Sequence, residues 1–441
     1  MTVYRTVPMN LKMASVAAMF MTALATWAAK PEVSNVAMRQ DPQTRLVTVT
    51  YELTSQPGII TIDVCTNGVS IGAGNFASVA GDVNKIVYPD EGTRTITWWP
   101  CNDWPDVRIA NKSLTVTVSA WATNAPPPYM VMDLVFQNMR FYPHADAVPG
   151  GITNNIYKTD RLLMRKLSAA GVPWRMGSPH ADLASDGLSE YRGQEIAHLV
   201  AFSNDYYVGV YPVTQRQWRH VMGSMPSGVP TGDDAARYPI TNISYEDVRG
   251  SNDSHDWPNN GHDVAASSFL GILRETFPVE FDLPTEAQWE FAARGGEGAP
   301  LYNGKSFTTE NMKALAWSSD NSGSRLHAVD EKPANGFGLF DVSGNAWEMT
   351  LDWFSESDGY SAQFVADYAT GGITWDPKGP NCEMTYQNAV SSSHRRVLRG
   401  GCWSYTGKYA RPAYRSNPAT VDSVASTRSF RLVCPARIEC R

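Results

Sequence analysis

The chain has 441 residues, of which 43% are hydrophobic and 18% are charged, and its formal net charge is −7 at pH 7. This composition is typical of a folded protein of two or three domains and argues against a disordered chain. Because binding to nucleic acid without sequence preference needs a basic surface, the acidic balance argues against a nucleic-acid partner.

The first 29 residues have the pattern of an export signal. Arg5 and Lys12 supply positive charge, residues 13–25 form an apolar run, and small residues suited to signal peptidase lie at its end. The run is shorter than the roughly 20 apolar residues that span a membrane. The sequence therefore predicts a signal peptide at 1–29, a secreted or periplasmic protein, and no stable membrane span after signal cleavage. An uncleaved N-terminal anchor is the alternative.

Short segments of alternating residues follow from 30 to 145. Runs such as LVTVTY at 46–51, IITIDV at 59–64 and LTVTVSAW at 114–121 are rich in β-branched residues, and turn residues separate them. Several strands of this kind predict a β-sandwich, immunoglobulin-like or fibronectin-like. The sequence assigns this domain to 30–145 and a second, larger domain to 156–437.

Helix starts in the second domain are indicated by capping boxes. Thr285 is followed three residues later by Gln288, and Thr214 is followed in the same way by Gln217. A weaker pair of this kind begins at Ser244. These signals predict where helices begin, and they say nothing about function.

The number of cysteines is even, and an exported protein can form disulfides. Sequence alone allows 15 complete pairings of six cysteines. Cys65 with Cys101 is the expected pair, since both lie in the N-terminal region. The six are Cys65, Cys101, Cys382, Cys402, Cys434 and Cys440.

Four segments of the second domain carry a family resemblance. They are YYVGVYPVTQ at 206–215, LPTEAQWEFA at 283–292, NGFGLFDVSGNAWE at 335–348 and RGG at 399–401. With these segments in this order, the chain resembles the formylglycine-generating enzyme family, also called sulfatase-modifying factors. The resemblance implies a loop-rich variant of the C-type lectin fold, so the expected fold class is α+β with the β-sandwich preceding it.

The resemblance also implies a calcium site. Family members bind calcium through a carboxylate or carboxamide, two backbone carbonyls and a glutamate, and calcium prefers six to eight such hard oxygen ligands. The alternative is that the two acids only cap or form ion pairs within the loop. The matching positions are Asp341, Gly344, Ala346 and Glu348.

Copper is not expected, although active members of the family depend on it. They oxidise a substrate cysteine at a C-x-x-x-x-C thiol pair just beyond the Gly-Gly, and copper(I) prefers such soft ligands. In this chain the corresponding stretch, 405–410, reads YTGKYA and holds no thiol. Cys402 stands ahead of it, where the family usually has serine.

Two hypotheses for function therefore compete. In the first, the domain binds a peptide, protein or glycan through its closing segment, since aromatic and arginine side chains are common anchors at interfaces. The candidate ligand-binding residues are Trp403, Tyr405, Tyr409, Arg411, Tyr414 and Arg415. Trp403 and the arginines can instead be core supports, which leaves the tyrosines exposed. In the second hypothesis, the domain is an oxidoreductase of the formylglycine-generating type, or performs another oxidative modification with a divergent site.

Overall fold

The structure is a computed structural model that describes residues 30–72, 76–89, 92–103, 105, 114–191, 193–232, 234–251, 257–354, 370–379, 395–416 and 420–438. The predicted signal peptide at 1–29 lies outside these residues. No helix within them is long and apolar enough to cross a membrane.

Strands outnumber helices in the described residues. The strands are β1 (Glu32–Gln40), β2 (Val47–Thr54), β3 (Gly58–Thr66), β4 (Val69–Ser70), β5 (Val79–Gly81), β6 (Lys85–Val87), β7 (Arg94–Trp98), β8 (Leu114–Trp121), β9 (Tyr129–Asp133), β10 (Asn138–Tyr142), β11 (Arg161–Leu167), β12 (Trp174–Met176), β13 (His198–Ala201), β14 (Tyr206–Gly209), β15 (Trp347–Trp353), β16 (Ile373–Trp375), β17 (Arg396–Arg399), β18 (Arg428–Phe430) and β19 (Val433–Pro435). The helices are α1 (Pro100–Asp103), α2 (His180–Ser185), α3 (Gln215–Met222), α4 (Tyr245–Arg249), α5 (Phe269–Thr276), α6 (Glu286–Arg294) and α7 (Thr309–Leu315).

The first eight strands form two antiparallel sheets. One has the order β1-β2-β7-β5, and the other has the order β4-β3-β6 with β8 also paired to β3. Alternate residues of β2 are buried, as its sequence pattern predicts, and they pack in one cluster with apolar residues of β3 and β7. The N-terminal region is therefore built from strands. Its assignment as immunoglobulin-like or fibronectin-like stays a prediction.

The strands β9 and β10 pair with the second part of the chain, although the predicted boundaries place them in the N-terminal domain. They belong to a five-stranded sheet of order β10-β9-β11-β14-β19. Every residue of β9 is buried, because β9 lies inside this sheet between β10 and β11. In sequence, the short apolar run YMVM does not reveal which sheet it joins.

The remaining structure consists of short elements joined by long ordered loops. Two three-stranded sheets, β12-β13-β16 and β17-β15-β18, accompany the helices. The three capping boxes predicted from sequence are present, at Thr214, Ser244 and Thr285. This mixture of sheets with a few helices confirms the expected combination of α and β structure.

The expected disulfide between Cys65 and Cys101 is absent from the structure. Both residues, together with Cys402 and Cys434, carry free thiols. The half-buried Cys65 thiol instead lies 3.5 Å from the Oδ2 atom of Asp63, and Cys101 is exposed on α1. Cys382 and Cys440 lie outside the described residues.

The cap of α6 allows a direct test, because its capping box was predicted from the sequence and is present in the structure. Thr285→Ala removes the hydroxyl that accepts from the Gln288 N–H at 3.2 Å. We expect the free energy of unfolding to fall by about 1 kcal/mol. Denaturant unfolding measures the change. The control Thr309→Ala, at an exposed threonine just after the cap of α7, should change it by less than about 0.5 kcal/mol. Equal effects of the two variants would contradict the assigned role of the cap.

Candidate functional site

The candidate ligand-binding residues lie on one loop, which we call the closing loop (residues 402–415). It leaves β17 through Gly400 and Gly401, which have positive φ angles of 89° and 74°. A Cβ atom on Gly401 would lie 2.8 Å from the Cα atom of Ala410, so this turn requires glycine. The glycine pair thus folds the start of the loop back against its own middle.

Two of the six candidate residues are buried supports rather than ligand-binding groups. Arg411 and Arg415 are each only 1% exposed. Arg411 donates to both carboxylate oxygens of Glu195, at 2.8 and 2.7 Å, and Arg415 donates to both oxygens of Glu286, at 2.5 and 2.8 Å. Their forked donors are used inside the domain, which is the arrangement that the alternative of core supports describes.

The buried arginines also hold the backbone of the closing loop. Arg411 donates through Nε to the carbonyl of Lys408 at 2.9 Å. Arg399, which forms an ion pair with Glu290, donates to the carbonyl of Tyr414 at 2.6 Å. The loop therefore keeps its shape through internal charge pairs although it contains little regular secondary structure.

Three tyrosines of the closing loop form a contiguous aromatic surface. The ring centroids of Tyr405 and Tyr409 are 5.7 Å apart, and those of Tyr409 and Tyr414 are 4.9 Å apart. Tyr405 is 48% exposed, and the other two rings are half-buried. Burial raises the pKa of Tyr414 to about 12, so its hydroxyl stays protonated. The structure thus brings together the predicted tyrosines.

Sequence reasoning missed one lysine of this surface and two buried rings that pack behind it. Tyr191, from a distant segment, lies 5.3 Å from Tyr414 between ring centroids, and Trp347 lies 6.0 Å from Tyr405. The Lys408 ammonium lies 5.1 Å from the centroid of the Tyr409 ring. Interaction with the Tyr191 side chain raises the pKa of Lys408 to about 12, so the lysine is charged at neutral pH.

We call this group the tyrosine face, made of Tyr405, Lys408, Tyr409 and Tyr414 at the surface and the buried Tyr191 behind them. No local pattern in the sequence links Tyr191 to the loop, since they are more than 200 positions apart. The surface offers aromatic faces, hydroxyl groups and one cation. It can therefore stack on a flat or apolar group and donate hydrogen bonds beside it.

The closing loop begins with two residues that are partly or fully buried, Cys402 and Trp403. Trp403 is half-buried, and its indole N–H donates to the carbonyl of Ser426 at 3.3 Å. Cys402 is buried, with its sulfur 3.3 Å from the Ser404 hydroxyl oxygen. Burial raises the pKa of the Cys402 thiol, which keeps it protonated and unreactive at neutral pH.

The predicted calcium loop lies directly against the closing loop. The Gly344 N–H donates to the carbonyl of Gly400 at 2.6 Å, and the Trp403 N–H donates to the carbonyl of Asn345 at 3.0 Å. A cation bound at residues 341–348 would therefore stabilise the backbone that supports the tyrosine face.

Asp341 is a buried carboxylate within the predicted calcium loop. Its buried carboxylate accepts hydrogen bonds from the Asp330 N–H at 2.8 Å and from the Asn345 side-chain amide at 3.2 Å. Burial raises the pKa of Asp341 to about 7. A buried carboxylate whose hydrogen-bond donors are neutral gains most from a nearby positive charge.

Glu348 fits the predicted site less well. Its two oxygens accept from Arg431 at 2.7 and 2.9 Å, and Oε2 also accepts from the Trp289 indole at 2.7 Å. Glu348 therefore forms an ion pair with Arg431, which lies outside the 341–348 loop. Oε1 keeps one free lone pair, so Glu348 could still contribute one ligand.

Calcium binding therefore stays a prediction for Asp341, Gly344, Ala346 and Glu348. Among the described residues, no three His, Cys, Asp or Glu side chains are grouped so as to hold a metal ion. This observation does not test the predicted set, which contains two acids and two backbone carbonyls.

Comparison with known proteins identifies the domain. The profile of the family described as the sulfatase-modifying factor enzyme 1-like domain matches residues 173–436. The chain belongs to this family. It is 30% identical over 234 residues to the formylglycine-generating enzyme of Bos taurus, across 50% of this chain and 49% of that protein.

The chain is also similar to proteins that are not named as formylglycine-generating enzymes. Serine/threonine-protein kinase pkn1 of Chlamydia caviae is 28% identical over 254 residues, across 54% of this chain and 35% of that protein. Treponema denticola variable protein 1 is similar in structure, with a TM-score of 0.45 and 24% identity, across 62% of this chain and 95% of that chain. The chain spans about a third to a half of the length of the kinase and of the Bos taurus enzyme.

The ion pairs that support the closing loop make a testable prediction. Glu195→Gln leaves the Arg411 guanidinium buried without a charged partner, and we expect the free energy of unfolding to fall by about 3 kcal/mol or more. Denaturant unfolding measures the change. The matched control is Glu190→Gln, which removes an exposed partner of Lys408 at 3.5 Å and should cost less than about 1 kcal/mol. A small effect at Glu195 would show that Arg411 does not support the loop.

Proposed function

We propose that this protein is an exported, ligand-binding member of the sulfatase-modifying factor family, and that the tyrosine face is its recognition surface. The observation that carries the proposal is the contiguous, partly exposed group of tyrosine rings on a loop whose backbone is held by buried arginines. The ligand class is a peptide, protein or glycan that presents a flat or apolar group to these rings.

Binding of a ligand to the tyrosine face would lose little conformational entropy. Tyrosine rings supply a large contact area with few rotatable bonds, which is why they are common in binding surfaces. The hydrogen bonds from Arg399 and Arg411 to the carbonyls of Tyr414 and Lys408 hold the loop before a ligand arrives. Such preorganisation raises affinity, because binding then loses less conformational freedom.

We also propose that the copper-dependent oxidation of the family is absent. Within 405–410, the only two positions with C-x-x-x-x-C spacing are occupied by Tyr405 and Ala410. Neither side chain is a soft ligand for copper(I). Instead, Tyr405 supplies the most exposed ring of the tyrosine face.

The alternative function is an oxidoreductase with a divergent metal site. Metal analysis of the purified protein separates the two functions. Stoichiometric copper or iron would favour the oxidoreductase, and calcium without either metal would favour the binding protein.

We also propose roles for the N-terminal region and for the first 29 residues. The N-terminal sheets are proposed as an immunoglobulin-like or fibronectin-like module that spaces or docks the second domain, which is proposed to adopt the C-type lectin fold. The export pattern at 1–29 supports a secreted or periplasmic location.

The tyrosine face is tested by selecting ligands from a random-peptide library and from a panel of immobilised glycans. We expect the wild-type protein to select ligands that the double variant Tyr405→Ala/Tyr409→Ala binds at least tenfold more weakly, because two stacking faces are lost. Titration calorimetry measures the affinities. The control Tyr88→Ala removes a ring that is also 48% exposed, but that lies just after β6 in the N-terminal region, and it should not change the affinities. Equal affinity of the double variant would rule out this surface.

The calcium loop is tested by thermal unfolding in chelator and in excess calcium. We expect calcium to raise the melting temperature, since a ligand present at 100 times its Kd stabilises the folded state by about 2.7 kcal/mol. Asp341→Leu should abolish this response. Asp341→Asn should keep it, because a carboxamide can still supply an oxygen ligand. A wild-type protein that does not respond to calcium, or an Asp341→Leu variant that responds fully, would contradict the site.

A further inference from the structure

A second concave site lies between the N-terminal sheets and the five-stranded sheet, away from the tyrosine face. It is a cleft with a volume of about 490 Å³. One wall comes from β3, β4, β5 and the described residues next to them, and the other comes mainly from β9, β10 and β11. The volume lies within the range of about 300 to 1,000 Å³ that is typical of ligand pockets.

Direct contacts hold the two walls of this cleft together. The Phe141 N–H of β10 donates to the carbonyl of Asn84 at 3.0 Å. Ile59 of β3 is fully buried in the same apolar core as Met130 and Met132 of β9. The cleft is therefore bounded by packed strands, and its shape follows from the fold.

Tyr142, on the β10 wall, has an unused hydroxyl group. The residue is only 9% exposed, and it lines the cleft. Burial raises the pKa of Tyr142 to about 12, so the hydroxyl stays protonated and can both donate and accept. The hydroxyl is not sealed from solvent, so it is available to a molecule that enters the cleft.

The charged groups of the cleft balance one another. Asp63 and Asp133 line it together with Arg140 and Arg161, so that their formal charges sum to zero. Arg161 donates to Asp133 at 2.8 Å, and the Ser70 hydroxyl donates to Asp63 at 2.7 Å. The cleft thus offers donors and acceptors side by side without favouring an anion or a cation.

We propose that this cleft binds a neutral saccharide. A sugar ring carries several hydroxyl groups that each donate and accept hydrogen bonds, and it also has an apolar face. Carboxylates, guanidinium groups and a free tyrosine hydroxyl satisfy such hydroxyls together, and apolar residues such as Val131 and Val79 line the same space. The balanced charge distinguishes this ligand class from a sugar acid or an amino sugar.

The proposal is tested by titration calorimetry of the full-length protein with glucose, galactose, N-acetylglucosamine, maltose and lactose. Glucuronic acid and glucosamine serve as charged counterparts. We expect at least one neutral sugar to bind with a Kd of about 0.1 to 10 mM, and the charged counterparts to bind at least threefold more weakly. Absence of binding by every neutral sugar, or tighter binding of a charged counterpart, would overturn the proposal.

Variants locate the binding. Tyr142→Phe should weaken it about tenfold by removing only the hydroxyl, and Ala80→Trp should abolish it by filling the cleft from an exposed position. Arg140→Gln, at an exposed residue, should weaken it without affecting the core, and the control Arg39→Gln on β1 should leave it unchanged. Melting temperatures establish that each variant is folded. Unchanged affinity in both Tyr142→Phe and Ala80→Trp would overturn the assignment to this cleft, and unchanged affinity in Tyr405→Ala/Tyr409→Ala would separate it from the tyrosine face.

Discussion

Arginine–glutamate pairs inside the second domain connect segments that are far apart in the sequence. Arg411 reaches Glu195 across 216 positions, Arg415 reaches Glu286 across 129, and Arg431 reaches Glu348 across 83. Each pair is almost entirely buried. Since removing one partner leaves an uncompensated buried charge, which costs about 3 to 5 kcal/mol, these pairs penalise any other arrangement of the loops.

The helix α6 is the centre of this arrangement. Glu286 and Glu290 are four residues apart, so both side chains leave the same side of the helix and meet arginines from the end of the chain. Burial and the neighbouring Glu286 carboxylate raise the pKa of Asp352 to about 7, which shows how closely charges are packed there. The tyrosine face lies over these buried ion pairs. Its shape depends on them, because the arginines hold the backbone of the closing loop.

Local signals predicted the local structure well. The capping boxes at Thr214 and Thr285 and the alternating residues of β2 were readable because neighbours in sequence determine them. Strand partners were not readable, as β9 shows, since its apolar run fits more than one sheet. The fold expected for the second domain came from the family resemblance, because local sequence patterns do not predict how distant segments pair.

The candidate site was predicted only in part, for the same reason. A loop arginine that faces solvent has the same sequence pattern as one that pairs with a buried acid. Ligand binding and core support therefore stayed open for Arg411 and Arg415, which are both buried. The tyrosines were correctly grouped because they share one loop. Tyr191 and Trp347 join them only through long-range folding.

The central claim is that this chain keeps the family scaffold with a binding surface in place of the oxidising thiols. Its most direct test is mass spectrometry of a cysteine-containing sulfatase peptide after incubation with the purified protein, copper and oxygen. The account predicts that the cysteine remains unconverted, while an active family member converts it under the same conditions. Formylglycine formed by the purified protein would contradict the claim.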